Sequence, residues 1–352
     1  MQITKVEVTP VELKLQHTAQ MSNMTLDHLT AVFIRMETRQ GQNAWGCAVA
    51  HPAMTGESPK DLLHGCRVGA EAVPTLHPTN IEYSLTELSK IIKPGSAALV
   101  AFDLAFHDLL GLAADMPLYR VLGGYRNRIQ TSVTIPISPL DESVEIAMRQ
   151  ARNGFRILKI KGGLDPEEDV RRVRAIHRAL PSIILRLDVD GGYDVEQALD
   201  VARALKDVVE MLEQPTPSSD IDAITLVSRN SPVPILADQS ITGLESALKL
   251  ASSGTVNGFS IKVAMCGGLR CARQMDAIAK AARMKTMVGC LIEPALLISA
   301  GLSFALSSAN VQYGDLDGYL DLINDPTQAS FRLEKGWLVA SDVPGLGCSV
   351  NM

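Results

Sequence analysis

The chain has 352 residues, of which 46% are hydrophobic and 20% charged, and its formal net charge is −6. This weakly acidic balance gives no electrostatic reason to bind nucleic acid or an anionic membrane surface. The length exceeds the size at which one hydrophobic core usually keeps growing, so we expect one large domain and a smaller one.

The start of the chain and its cysteines together predict a cytoplasmic location. The first residues, MQITKVEVTP, lack the basic stretch and following apolar run of a secretion signal. The 6 cysteines are scattered without a paired framework, as is typical of free thiols in a reducing compartment.

The sequence pattern of residues 1–125 predicts an α+β module. Two early runs, ITKVEVTPVEL and HLTAVFIRMET, alternate apolar and polar residues as half-buried antiparallel strands do. Helical patterns follow at about residues 59–73 and 84–92, and the next segment, SAALVAFDLAFHDLLGLA, is apolar on most faces.

From Thr131 onward, short apolar runs alternate with amphipathic helical segments at intervals of about 25 residues. This alternation is typical of repeated βα units, and seven or eight such units favour a closed TIM-type barrel, here over residues 126–320. An open doubly wound sheet is the alternative, but no Gly-rich phosphate loop follows the first run. Residues 321–352 are strand-like again, and we expect them to return to the first module.

Three acidic residues end successive strands of the predicted barrel. Asp188, Glu213 and Asp238 are 25 residues apart each time, and each closes a short apolar run. The carboxyl ends of barrel strands are where barrel enzymes carry their chemistry. Three convergent carboxylates repel one another unless a cation lies between them, and oxygen-only ligands suit Mg²⁺.

Lysines end the strands on either side of these carboxylates. Lys159 and Lys161 lie on one face of the second barrel strand, and Lys262 ends the sixth, on the opposite side of the mouth. A base on each face of a substrate allows a proton to leave from one side and return from the other, which yields an epimer or racemate. We expect the neighbouring ammonium group and the metal to lower the pKa of the lysine that acts as base.

Each residue also has a plain structural interpretation. An Asp at a strand end is most often a helix cap or turn former, and a lysine there is usually solvated. The combination favours a catalytic site, because all of these residues lie at the strand end of their βα unit, and the five units are consecutive. A Schiff-base lysine enzyme is a weaker alternative, since it offers no role for three carboxylates.

These motifs closely resemble the enolase superfamily, in the muconate lactonizing enzyme subgroup. The resemblance rests on K-x-K, D-x-[N/D], E-Q-P, A-D-x-S and S-I-K, in order and spacing, and on residues 101–124, which resemble the segment linking the capping domain to the barrel. It implies a modified (β/α)7β TIM barrel with an α+β capping domain, and a homo-oligomer. It further implies Mg²⁺ bound by the three carboxylates, Lys161 and Lys262 as the acid/base pair, and Lys159 as electrostatic support for Lys161.

Further segments resemble the dipeptide epimerase branch. Asp315 and Asp317 match the D-x-D that holds the α-ammonium group of a dipeptide, although D-L-D-G alone is also a common turn. The resemblance also implies substrate contacts from the capping loop and from the ends of the first and seventh barrel strands. These candidates are Thr55, Thr134, Cys290 and Glu293.

The chain departs from the subgroup pattern at several positions. Asp190 stands where Asn is usual and Gln239 where Glu is usual, so total charge is kept near the metal site. The segment HTAQMSNMT resembles the specificity loop but contains no Arg or Lys, which disfavours an Ala-Glu substrate. Its Met21 and Met24 favour an apolar or uncharged second side chain, and plain packing is the alternative.

These observations predict a Mg²⁺-dependent epimerase of dipeptides that acts at the α-carbon of the C-terminal residue through an enediolate. N-acyl amino acid racemase, o-succinylbenzoate synthase and muconate cycloisomerase use related chemistry and stay open. A catalytically silent barrel is the non-enzyme alternative.

Overall fold

The computed structural model of the chain describes residues 1–20, 25–93, 95–254 and 256–352. Its N-terminal part is a three-stranded antiparallel sheet in the order β1-β2-β3, covered by helices. The strands are β1 (Ile3–Gln20), β2 (Thr25–Thr38) and β3 (Asn43–Val49). The helices are α1 (Pro52–Thr55), α2 (Pro59–Ala72), α3 (Ile81–Leu88), α4 (Ala97–Ala113) and α5 (Leu118–Val121), with a 3₁₀ turn at Val73–Thr75. We call this part the cap.

A parallel barrel follows the short strand β4 (Arg128–Gln130). Within the described ranges its eight strands are β5 (Val133–Ile135), β6 (Ile157–Lys161), β7 (Ile184–Asp188), β8 (Val209–Glu213), β9 (Ile235–Ala237), β10 (Gly258–Lys262), β11 (Lys285–Gly289) and β12 (Val311–Gly314). The connecting helices are α6 (Leu140–Arg152), α7 (Pro166–Ala179), α8 (Val195–Ala204), α9 (Ile221–Asn230), α10 (Leu244–Ser253), α11 (Leu269–Ala281) and α12 (Ala295–Ser307). The predicted (β/α)7β architecture is confirmed.

The strands pair in sequence order from β5 to β12, and all of these pairs are parallel. The barrel closes where Thr131, just before β5, bridges Gly314 at the end of β12. The Ser132 amide donates a hydrogen bond to the Gly314 carbonyl at 3.0 Å across the same seam. Closure brings every strand's carboxyl end to one mouth, which the cap covers.

Helices α4 and α12 are apolar on most faces because both are buried where the cap meets the barrel. Helix α4 packs on β3 and α2, whereas α12 packs on α5, β3 and β11. A helix that is hydrophobic all round belongs in a protein core or a membrane. In the part of the chain that the structure describes, no helix is long and apolar enough to cross a membrane.

The C-terminal segment carries β13 (Thr327–Ala329), β14 (Arg332–Glu334), β15 (Trp337–Val339) and β16 (Cys348–Val350). Strands β14 and β15 extend a small sheet with β4, and β13 pairs with β16. The segment also contacts the cap, since the Leu346 amide donates to the Asp108 carboxylate of α4 at 2.7 Å. Division of the chain at residues 125 and 320 remains a prediction.

Gly46 of β3 lets helix α4 approach the cap sheet closely. A Cβ atom added there would lie 2.9 Å from the Ala105 nitrogen and far closer than contact distance to the Ala101 carbonyl oxygen. We expect Gly46→Ala to lower the free energy of unfolding by about 1–3 kcal/mol, because the backbone of α4 must shift. Urea unfolding checks this. Gly243→Ala is the matched control, since its added Cβ meets no atom of the described residues within 4 Å. Equal effects of the two changes would contradict the packing argument.

Candidate active site

Three carboxylates meet at the barrel mouth because their strands are neighbours in register. In the pairing of β7 with β8, Asp188 lies opposite Glu213, and Asp238 directly follows β9. All three side chains are buried. Burial raises the pKa of Glu213 to about 7, with the nearby Asp188 charge adding to the rise, because two buried carboxylates resist ionising together.

Lys159 lies among these carboxylates rather than beside them. Its Nζ is 2.8 Å from Asp188 Oδ2, 3.0 Å from Glu213 Oε2 and 2.7 Å from Asp315 Oδ2. Burial opposes the ammonium charge, but the surrounding carboxylates outweigh burial and hold the pKa of Lys159 well above its ordinary value. Lys159 is therefore a buried cation in contact with three carboxylates.

Lys161 and Lys262 end the second and sixth of the eight barrel strands in the described ranges, so they lie on opposite sides of the mouth. Lys161 Nζ is 2.8 Å from Asp188 Oδ2 and 2.8 Å from Asp190 Oδ2. Lys262 forms an ion pair with Asp238. Both lysines line one cavity of about 200 Å³ between barrel and cap.

The predicted lowering of a lysine pKa at this site includes the charge of a bound metal ion and stays a prediction, since the carboxylates of the protein itself act in the opposite direction. Burial favours the neutral amine of Lys161, but Asp188 and Asp190 outweigh it and raise the pKa. Burial acts likewise on Lys262, and Asp238 and Glu213 raise its pKa in the same way. The prediction counted the metal ion and a neighbouring ammonium group, whereas these raised pKa values arise from the carboxylates of the protein alone.

The donor chemistry of Asp188, Glu213 and Asp238 fits a divalent cation. Carboxylate oxygens are the ligands that Mg²⁺ prefers, and within the described part of the chain Glu213 Oε1 is buried without a hydrogen-bond partner. Among the described residues, no three His, Cys, Asp or Glu side chains already meet around a common metal position, since oxygens of these carboxylates face lysine ammonium groups. The residues fit the ion by type and burial, and Asp188, Glu213 and Asp238 would hold it.

The two departures from the family pattern, Asp190 and Gln239, contact each other. Gln239 Nε2 donates to Asp190 Oδ1 at 2.9 Å, while the other oxygen of Asp190 accepts from Lys161. The residue that adds a charge relative to the family pattern, Asp190, is therefore hydrogen-bonded to the residue that removes one, Gln239. Their pairing puts the retained negative charge beside Lys161.

The two aspartates after β12 have different partners. Asp315 is paired with Lys159 and accepts from Ser132 Oγ at 2.6 Å. Asp317 Oδ2 accepts from the Thr134 amide at 2.7 Å, and its Oδ1 is 3.9 Å from Cys290 Sγ. Burial, with Asp315 nearby, raises the pKa of Asp317 to about 6. Of these two aspartates, Asp317 is the one without an ion-pair partner among the described residues.

Only some of the other residues predicted to contact the substrate line the cavity. Cys290 and Thr134 line it, whereas Thr55 and Glu293 do not. The Thr55 hydroxyl donates a hydrogen bond to the His51 carbonyl at 3.0 Å, so its hydrogen-bond partner lies within its own loop. Glu293 is buried and accepts from the Leu291 amide at 3.1 Å. Predictions for Met21 and Met24 lie outside the described residues.

Sequence reasoning missed several side chains at the site. The cap contributes His17, Thr18, His51 and Met54 to the cavity wall. Gln214 was noted only as part of a motif, yet its Oε1 accepts from the backbone amides of Asp238 and Ser240 at 2.9 and 3.1 Å. A histidine two residues after a cap strand was the available signal for His51.

A capped barrel with carboxylates between two lysines at its mouth defines a class of proteins built for proton transfer next to a carboxylate. Residues 3–123 match the family model "Mandelate racemase / muconate lactonizing enzyme, N-terminal domain", and residues 142–352 match "Enolase C-terminal domain-like". The chain belongs to the enolase superfamily, in the muconate lactonizing enzyme subgroup.

Similar proteins cover the whole chain. The "Hydrophobic dipeptide epimerase" of Enterococcus faecalis is 32% identical over 99% of this chain and 100% of that protein. The "L-Lys-D/L-Arg epimerase" of Methylococcus capsulatus is 31% identical over 99% of each. The solved structure of the Enterococcus faecalis dipeptide epimerase with Mg and L-Leu-L-Tyr has a TM-score of 0.96 at 32% identity, and covers 99% of this chain and 100% of that one.

Proposed function

We propose that the protein is a Mg²⁺-dependent dipeptide epimerase, an isomerase that inverts the α-carbon of the C-terminal residue. The observation that carries this proposal is the position of Lys161 and Lys262 on opposite sides of three buried carboxylates. A two-base site needs this arrangement, since a single base returns the proton to the face it came from. Similarity to dipeptide epimerases over the whole chain supports the same reaction.

In this reaction one lysine removes the α-proton and the opposite lysine returns one to the other face. Starting from an L,L-dipeptide, the lysine facing the α-hydrogen takes it as a neutral amine, a form that the charge of a bound Mg²⁺ would favour by lowering the lysine pKa, and the other lysine donates as an ammonium. A bound Mg²⁺ would neutralise the negative charge that develops on the substrate carboxylate. Lys159 stays protonated and holds Asp188, Glu213 and Asp315 in place. His51 and Met54 of the cap line the cavity in which these groups meet.

The cavity wall supports a dipeptide with an apolar or uncharged second residue. Met54 of the cap and Ile292 and Leu320 of the barrel line it, and each presents an apolar side chain. The name of the Enterococcus faecalis relative agrees with this preference. N-acyl amino acid racemisation, o-succinylbenzoate synthesis and muconate cycloisomerisation remain alternatives, and their substrates lack an α-ammonium group.

Incubation in D₂O with Mg²⁺ and a dipeptide library tests the proposal. We expect deuterium at the α-carbon of the C-terminal residue and formation of the epimer, with hydrophobic dipeptides leading. Chelation of the metal should stop both. Exchange into N-acyl amino acids but into no dipeptide would favour the racemase alternative, and no exchange anywhere would favour a silent barrel.

Asp317 is expected to hold the substrate ammonium group. Asp317→Asn should raise KM for dipeptides roughly 10- to 100-fold, because a charged hydrogen bond contributes about 1.5–3 kcal/mol. KM should also rise as the pH falls through about 6, the pKa of Asp317, since protonation removes its charge. Steady-state kinetics checks both effects. The exposed Asp207→Asn is the control. An unchanged KM in the Asp317 variant would contradict this assignment and favour substrates without an amino group.

We further propose that the protein works in the cytoplasm and as a homo-oligomer. All six cysteines are free, which supports a reducing compartment. Light scattering on the purified protein measures the oligomer size.

A further inference from the structure

His51 is a buried polar side chain at the site for which the reaction above has no role. It follows β3, directly precedes α1, and is 2% exposed. Its ring lines the cavity, whose wall also includes Lys262 and Asp190. Its Nδ1 is buried and has no hydrogen-bond partner among the described residues. Buried polar atoms are nearly always paired, so this one calls for an explanation.

The loop that carries His51 does not depend on the imidazole ring. The carbonyl oxygen of His51 accepts from the amides of Met54 and Thr55 at 2.9 and 2.8 Å and from Thr55 Oγ1 at 3.0 Å. Pro52 follows and starts α1 with a restricted backbone. These contacts to the His51 carbonyl therefore fix the loop without any hydrogen bond from the ring.

The surroundings of the ring indicate what it can bind. Burial lowers the pKa of His51 and Lys262 lowers it further, whereas a backbone hydrogen bond and Asp190 oppose this shift. A neutral imidazole keeps one N–H to donate. Lys262 and Asp190 belong to the carboxylate-bearing side of the mouth, away from Asp317 after β12. A dipeptide whose amino group meets Asp317 would direct its own carboxylate to this side.

We propose that His51 is a further substrate-positioning residue, which donates a hydrogen bond from the cap to the carboxylate of the bound dipeptide. This proposal rests on the proposed epimerase function. Negative charge on that carboxylate grows as the α-proton leaves, so the hydrogen bond strengthens toward the transition state. The cap thereby contributes to the rate as well as to substrate selection.

The test compares His51→Ala with His51→Gln and His51→Asn, whose side-chain amides keep an N–H donor. We expect His51→Ala to lower kcat roughly 10- to 100-fold with a smaller change in KM, and an unchanged Tm. At least one amide variant should recover most of the lost kcat. His64→Ala, an exposed histidine of α2, is the matched control and should behave as wild type.

Wild-type kcat and KM in His51→Ala would overturn the proposal. So would a loss of activity that follows a lower Tm and that neither amide variant restores, since both results would mean a packing role. In those cases the wild-type protein still epimerises dipeptides, and the proposed function stands. A wild-type protein that exchanges no dipeptide proton would overturn both the function and the role of His51.

Discussion

Lys161→Ala and Lys262→Ala are each expected to lower the rate of dipeptide epimerisation about 10²- to 10⁴-fold, the usual contribution of a positioned acid or base. Each variant should nevertheless exchange the α-proton of one epimer with solvent, because the remaining lysine still faces that hydrogen. The two variants should differ in which epimer exchanges. This asymmetry follows from the location of the lysines on opposite sides of the mouth.

Proton NMR in D₂O, started separately from the L,L- and L,D-dipeptides, measures the four exchange rates. Lys249→Ala changes an exposed lysine of α10 and is the control for loss of a surface charge. Circular dichroism establishes that each variant is folded. Exchange of both epimers by either variant would show that a single base serves both faces, and would contradict the two-base assignment.

Lys159→Met is expected to lower the free energy of unfolding by about 3–5 kcal/mol when measured with a chelator present. Methionine has a similar length, but the change leaves Asp188, Glu213 and Asp315 buried without the cation that contacts all three. An uncompensated buried charge is among the largest single-residue effects on stability. Mg²⁺ should restore part of the loss, since it supplies positive charge to the same carboxylates.

Urea unfolding with and without Mg²⁺ checks this expectation. Lys249→Met is the matched substitution at an exposed position and should change the free energy of unfolding by less than about 0.5 kcal/mol. If Lys159→Met unfolded at the wild-type urea midpoint in chelator, the buried cation would not be holding these carboxylates together.

Much of the architecture was predictable because it depends on the short-range periodicity of apolar residues in the sequence. Runs of apolar residues at intervals of about 25 residues predicted repeated βα units, and the structure confirms the barrel. The phase of each run also predicted which residues end strands, so the carboxylates and lysines were recognised as neighbours at one mouth. Alternating patterns near the N-terminus likewise predicted the antiparallel cap sheet.

Contacts between side chains from distant strands could not be predicted in this way. Three features depend on elements that are far apart in sequence. They are the central position of Lys159, the hydrogen bond between Gln239 and Asp190, and the burial of His51. The effect of the protein's own charges on the lysine pKa values could not be predicted for the same reason. It depends on which charges lie within a few ångströms after closure, and carboxylates prevail there.

The sequence by itself thus determined the barrel, the cap and the set of ionisable residues at the strand ends, because strand and helix periods act over a few residues. Only the tertiary structure decided which of those charges are paired, which cap side chains reach the cavity, and which aspartate stays without a cation partner among the described residues. Electrostatic energies depend on distance and burial, and both arise only when the barrel closes and the cap docks on its mouth.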